Sequence, residues 1–153
     1  MNELQQNIIK WAEDKGIFAK SDPTSQFLKT ISEVGELADA VNKNDLPEIK
    51  DAIGDVTVTL ILYHKMLDTK LVLSNQTSGG FYADIKLEVT RFVYYIGQIA
   101  DSQLTPFNYL AVDMLAAIAQ HYGWTLQECL QSAYDVISKR TGKMENGVFV
   151  KDR

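Results

Sequence analysis

Cysteine, proline and histidine are scarce in this sequence, with one, three and two in 153 residues. The lone Cys129 cannot close an internal disulfide. With no recognisable partnership to His64 or His121, it reads as a buried structural thiol rather than a nucleophile. Neither histidine sits in an HxxxH or HxxE arrangement, so the sequence offers no zinc motif, and it has no glycine-rich loop to cradle phosphates. Positive charge is in deficit: 15 Lys+Arg stand against 20 Asp+Glu, giving a net charge of −5 and a pI near 5.0. That balance argues against a nucleic-acid polymer as partner, since such binding draws on dense basic residues. No apolar run approaches the length of a bilayer span, and Met1-Asn2-Glu3-Leu4-Gln5-Gln6 has neither the basic nor the apolar region of a signal peptide. A cytoplasmic protein with no membrane partner is expected. Repeats and low-complexity tracts are absent.

What remains is the composition of an ordinary folded domain, 46% hydrophobic and 23% charged, long enough to bury a core. Residues 1–153 are therefore read as one domain. Leu4, Ile8, Trp11 and Ala12 predict a helix that stops at Gly16. After a short connection, Ser21-Asp22-Pro23 offers a cap and a starting proline, and Phe27, Leu28, Ile31, Val34, Leu37, Ala38 and Val41 carry a longer second helix. Beyond the polar break at 42–45, Leu46-Pro47 opens a third helix antiparallel to the second, carried by Ile49, Ile53, Val56, Leu60 and Tyr63. Residues 57–62 have strand-like composition, yet they continue a stripe too long for a strand and are assigned to buried helix. Residues 74–80 read as a loop. Two further helices are expected over 85–99 and 107–121. A last one starts at a Thr125 cap, with Glu128 at capping-box spacing, and runs to Arg140 or Thr141. Asn146-Gly147 marks the tail as either extended or a minimal hairpin. The fold class expected is all-α, an antiparallel bundle of about five or six helices.

Two acid pairs stand out. Glu33 and Glu36, three residues apart, share a face of the second helix; Asp51 and Asp55, four apart, share one on the third, with Glu48 a turn earlier. Paired acids on a helix usually mark a solvated face. Here they are interleaved with Val34, Gly35, Leu37 and Ala38, and with Ala52, Ile53, Gly54 and Val56, which are not solvent-like neighbours. Converging on adjacent helices, four carboxylates together with substrate phosphates would suit a hard divalent cation such as magnesium. Gly35 and Gly54 each cost a helix up to about 1 kcal/mol relative to alanine, which close packing or ligand access would explain.

With Glu33-Val34-Gly35-Glu36-Leu37-Ala38-Asp39-Ala40 and Lys50-Asp51-Ala52-Ile53-Gly54-Asp55-Val56, the sequence resembles the MazG-like nucleoside triphosphate pyrophosphohydrolases. These are all-α proteins with an ExxE pair on one helix and an ExxD pair on the next. Trp11-Ala12-Glu13-Asp14-Lys15-Gly16-Ile17, Ser21-Asp22-Pro23, Gln26-Phe27-Leu28-Lys29-Thr30 and the stretch from Ala133 to Met144 look like the shorter, often phage-encoded members. The likeness is poor across 65–105. One departure matters: Ala52 stands where the family has the glutamate of ExxD, and Asp51, one turn before Asp55, is the substitute.

The resemblance implies magnesium, with manganese as a possible replacement, held by Glu33, Glu36, Asp51 and Asp55. It also implies water attack between the α- and β-phosphates to give a nucleoside monophosphate and pyrophosphate, a house-cleaning role in the nucleotide pool, and a homodimer or homotetramer. Glu36 is the candidate to accept the proton of that water. Lys29 reads either as an ion pair with Glu33 or as a phosphate ligand. Lys139, Arg140 and Lys143 either complement the dipole of the last helix or close over the polyphosphate. Trp11 is core, a dimer contact or a stacking surface for a base, whereas Tyr94, Tyr95 and Trp124 read as packing residues. Two other readings stay open: a nucleotide-sensing or partner-binding protein that lost efficient catalysis with Ala52, and a purely structural bundle.

Overall fold

The computed structural model describes residues 1–78, 84–102 and 105–152. Their elements are α1 (Asn2–Asp14), α2 (Ile17–Lys20), α3 (Pro23–Lys43), α4 (Leu46–Met66), α5 (Ile85–Ser102), α6 (Thr105–His121), α7 (Leu126–Ile137) and a hairpin of β1 (Gly142–Glu145) and β2 (Val148–Lys151). The all-α reading holds, with the hairpin as a small addition. The short α2 occupies what reads in the sequence as a connection; four residues are too few to carry a periodic pattern. Positions 79–80 of the expected loop, and 103–104 between α5 and α6, lie outside the described residues.

The helix boundaries follow from local chemistry. Asp22 accepts a hydrogen bond from the Ser25 backbone N–H at 2.9 Å and Pro23 opens α3. Asn44, at φ 53, ends α3 in the left-handed region, and Asp45 then accepts from the Glu48 N–H at 3.3 Å to start α4. With so short a link, α4 folds straight back along α3, and these two helices pack on each other more than any other pair.

α4 is the centre of the molecule. It also contacts α1, α6 and α7, and it is buried without interruption from Val56 to His64. A helix covered on all sides needs no polar face, which is why residues 57–62 have the composition of a strand. Thr57 satisfies its hydroxyl within the helix by donating to the Ile53 carbonyl at 2.7 Å. Gly54 marks the closest approach of α4 to α7: a Cβ there would collide with the Cys129 carbonyl oxygen and lie 2.7 Å from the Ala133 Cβ.

α7 begins with the expected capping box between Thr125 and Glu128 but ends at Ile137, short of Arg140. Ser138 and Lys139 form a turn, and Gly142, at φ 154, starts the hairpin where a Cβ would collide with the Val150 carbonyl oxygen. Asn146 and Gly147, at φ 50 and 79, make the turn that pairs Glu145 with Val148 and Gly142 with Lys151. Trp124 stacks on Tyr122 and lies beneath the Lys50 ammonium. Tyr94 departs from its reading as a packing residue: it is 59% exposed on the outer side of α5, meeting only the edge of Tyr95 among the described rings. No helix among the described residues is long and apolar enough to cross a membrane.

Candidate active site

The antiparallel pairing of α3 and α4 turns two sequence stripes toward each other. From α3 the stripe is Gln26, Lys29, Glu33 and Glu36; from α4 it is Asp51, Asp55, Thr59 and Leu62, each repeating at helical spacing. Between them lies a cavity of about 250 Å³. Trp11 of α1, Ile17 of α2, Ile137 at the end of α7, Arg140 just beyond it, and Met144, Gly147, Phe149 and Lys151 of the hairpin also line it. All four acids singled out in the sequence therefore face one space, as do Lys29, Arg140 and Trp11. Lys139 and Lys143 do not: Lys139 is exposed outside the lining, and Lys143 pairs with Glu145 at 2.9 Å.

Two ion pairs span the polar end. Lys29 Nζ lies 2.5 Å from Glu33 Oε1, and Glu33 is only 5% exposed. Arg140 Nη2 stands 4.0 Å from Asp55 Oδ2. Even so, the Asp55 carboxyl is pushed up to about 6, first by its burial and then by the negative charges of Asp51 and Glu33, which together outweigh Arg140 and Lys29. This end of the cavity carries more negative charge than its own cations neutralise at Asp55. Glu36, by contrast, is exposed.

The donor set is all carboxylate oxygen, the type that hard divalent cations take. Glu33, Glu36, Asp51 and Asp55 thus fit such an ion in chemistry and in their common cavity. Among the described residues, no three Asp, Glu, His or Cys side chains already stand together as one ligand set. Lys29 and Arg140 occupy part of the space between the acid-bearing walls. Ala52 is 6% exposed and packed in the apolar core rather than in the lining, so on α4 it is Asp51, not position 52, that turns to the cavity with Asp55. Cys129 is buried and its thiol is pushed up to about 12, first by burial, which removes it from thiolate chemistry.

The segment carrying both acid pairs matches a known family. Residues 21–77 match the model of the MazG nucleotide pyrophosphohydrolase domain. Residues 21–77 are MazG-like. That match spans α3, α4 and the start of the segment after them, and so contains Glu33, Glu36, Asp51 and Asp55. An uncharacterised 18.2 kDa protein from the rep–hol intergenic region of Haemophilus phage HP1 is 27% identical to this chain, over 87% of this chain and 97% of the relative. No solved structure matches.

Beyond the matched segment, Phe149 and Lys151 reach the cavity without having been singled out in the sequence, as do Gln26 and Thr59 within it. Alternation along β2 puts Phe149 and Lys151 on the same side of the hairpin. That signal becomes readable only once the Asn146-Gly147 turn is known to close a hairpin.

Proposed function

We propose that this chain hydrolyses nucleoside triphosphates to a nucleoside monophosphate and pyrophosphate, with magnesium as its cofactor and manganese as a possible substitute. The observation that carries this reading is the convergence of two acid pairs, from adjacent helices, on one cavity that also holds Lys29 and Arg140. Glu33, Glu36, Asp51 and Asp55 hold the metal. When bound, it supplies charge neutralisation for the phosphates and lowers the pKa of a coordinated water. Lys29, Arg140 and Lys151 orient the phosphate chain through charge-assisted hydrogen bonds. Glu36, exposed and outside the two ion pairs, accepts the proton of the attacking water. Lys139 and Lys143, outside the cavity, act only as cations near the end of α7. Residues 1–153 work as one unit, in the cytoplasm, clearing unwanted nucleotides from the pool, and the apolar cluster that the described residues share supports the single unit. Exposed Leu28 and Ile31 on α3, and Leu87, Val93 and Tyr94 on α5, support self-association as a homodimer or homotetramer, which light scattering measures.

The test is pyrophosphate release from a panel of canonical and modified nucleoside triphosphates, with and without magnesium. Release should need the metal, and Glu36→Ala and Asp55→Ala should each lower kcat by about 10²-fold or more. One observation favours a second reading, a nucleotide-sensing protein with impaired catalysis: position 52 is alanine. Saturable nucleotide binding without pyrophosphate release from any substrate would favour that reading.

A further inference from the structure

We infer that the C-terminal hairpin forms, with Trp11 and Gln26, a nucleobase-reading subsite at the apolar end of the cavity. This subsite rests on the nucleotide reading above and deepens it. The cavity has two chemically distinct ends. Around the acids it is charged; away from them it is lined by Trp11, Ile17, Leu62, Met144 and Phe149. A flat, largely apolar ring with polar edges suits the second end while its phosphates reach the first.

Three features make this end more than an apolar gap. Phe149 stands edge-on to Trp11, with ring centroids 6.2 Å apart and planes at 65°, so helix α1 and the hairpin supply aromatic walls from opposite parts of the chain. The Trp11 indole N–H is buried and has no hydrogen-bond partner, a costly state for a donor unless a ligand completes it. Gln26 is 7% exposed, and its amide nitrogen donates to the Thr59 carbonyl at 3.4 Å. Since that carbonyl can only accept, the bond fixes the amide orientation and leaves the Gln26 oxygen as an acceptor. A donor and an acceptor therefore belong to one lining. In chemical type they complement a base edge that carries a ring carbonyl or ring nitrogen beside an N–H. The hairpin turn lies near the α2–α3 junction, where a Cβ added at Gly147 would meet the Lys20 carbonyl oxygen at 3.7 Å, and the Asp152 N–H bonded to the Thr141 carbonyl at 3.0 Å closes the open end of the hairpin. Phe149 sits between the two.

The experiment uses the full chain carrying Trp124→Phe, which leaves Trp11 as the sole tryptophan. With calcium in place of magnesium, nucleosides, the four deoxynucleoside triphosphates and inorganic tripolyphosphate are titrated against Trp11 fluorescence. In parallel, kcat and KM are measured with magnesium for Gln26→Leu, Phe149→Ala and Phe149→Leu, the last keeping apolar bulk in case alanine unseats the hairpin. We expect nucleosides and triphosphates to change the Trp11 emission while tripolyphosphate leaves it unchanged. Phe149→Ala should raise KM about tenfold with kcat within about twofold, as loss of a stacking wall does, and Phe149→Leu should fall between it and the parent. Gln26→Leu should alter the order of preference among the four bases. Unchanged KM and preference in all three variants, with Trp11 silent to every nucleoside, would overturn the subsite while leaving pyrophosphate release intact. Failure of the parent chain to release pyrophosphate would instead count against the hydrolase reading, and the nucleoside titration still decides the subsite by itself.

Discussion

Lys29 Nζ and Glu33 Oε1 lie 2.5 Å apart on the cavity side of α3, so the most buried of the four acids is held by a cation from its own helix. Arg140 stands beside Asp55 in the same manner across the cavity, at 4.0 Å. A divalent ion entering here must share these carboxylates with Lys29 and Arg140, and the phosphates of a substrate offer those cations a new partner at the same moment. Metal and nucleotide should therefore bind with positive coupling. Isothermal titration should find magnesium binding tighter in the presence of a nonhydrolysable triphosphate than alone, and equal affinity in the two conditions would refute the coupling.

Asp55→Asn should stabilise the metal-free protein and abolish hydrolysis. The folded-state pKa of Asp55 is raised from 3.8 to about 6, so its favourable contribution is complete below 3.8 and is lost as pH rises through 6. At pH 7 the charged carboxylate costs the fold up to about 3 kcal/mol. Thermal melts in EDTA at pH 7.5 should show a higher Tm for the asparagine variant, with the difference shrinking toward pH 4. A lower Tm at pH 7.5 would mean that Arg140 outweighs the crowding.

His64 should titrate far below the usual histidine range. It is 2% exposed, its Nδ1 lies 2.8 Å from the Thr69 hydroxyl, and burial pushes its pKa from 6.5 down to about 4. Its contribution to stability is present above 6.5 and is lost as pH falls through 4, opposite in sign to that of Asp55. Proton NMR of the imidazole follows this directly, and a midpoint near 6.5 would contradict it.

The two helical glycines beside the acids should respond in opposite directions. Gly54→Ala drives a methyl into the backbone of α7 and should destabilise by about 1–3 kcal/mol. Nothing lies within 4 Å of a Cβ at Gly35, so Gly35→Ala should stabilise by up to about 1 kcal/mol through helix propensity. Denaturant melts measure both. Should Gly35→Ala leave stability improved yet raise KM, a ligand uses that open space.

Ala52→Glu decides between the hydrolase and its impaired alternative. The position is 6% exposed in the apolar core, so a glutamate must be buried or must force α4 to shift, and the expected result is a lower Tm with no gain in turnover. A large rise in kcat would identify the natural site as defective.

Most of the helical frame can be read in the sequence because its boundaries are set locally. Asp22-Pro23, Asp45 ahead of Leu46-Pro47, and Thr125 with Glu128 each cap a helix within three or four residues, and the periodic apolar stripes do the rest. The shared face of the acid pairs is equally local, being set by helical spacing. The other wall of the cavity is not. Phe149 and Lys151 reach it only because Gly142 and Asn146-Gly147 turn the tail back over α1 and the α2–α3 junction, and no spacing rule links residue 149 to residue 11. The same limit explains Lys139 and Lys143, whose neighbourhood in sequence to Arg140 does not survive the turn that ends α7 at Ile137. Tyr94 shows the converse, an aromatic whose side of the helix only the packing of α5 decides.

The link between α3 and α4 is so short that Asn44 closes one helix and Asp45 opens the next, whereas Arg140 comes from the far end of α7. Closing the first contact costs the chain little conformational entropy, and closing the second costs more. On that ground Glu33, Asp51 and Asp55 are expected to gather before Arg140 arrives, with only Lys29 on their own helices to offset them. A divalent cation held by these acids would then hasten refolding as well as stabilise the folded product, and stopped-flow refolding with and without magnesium measures this.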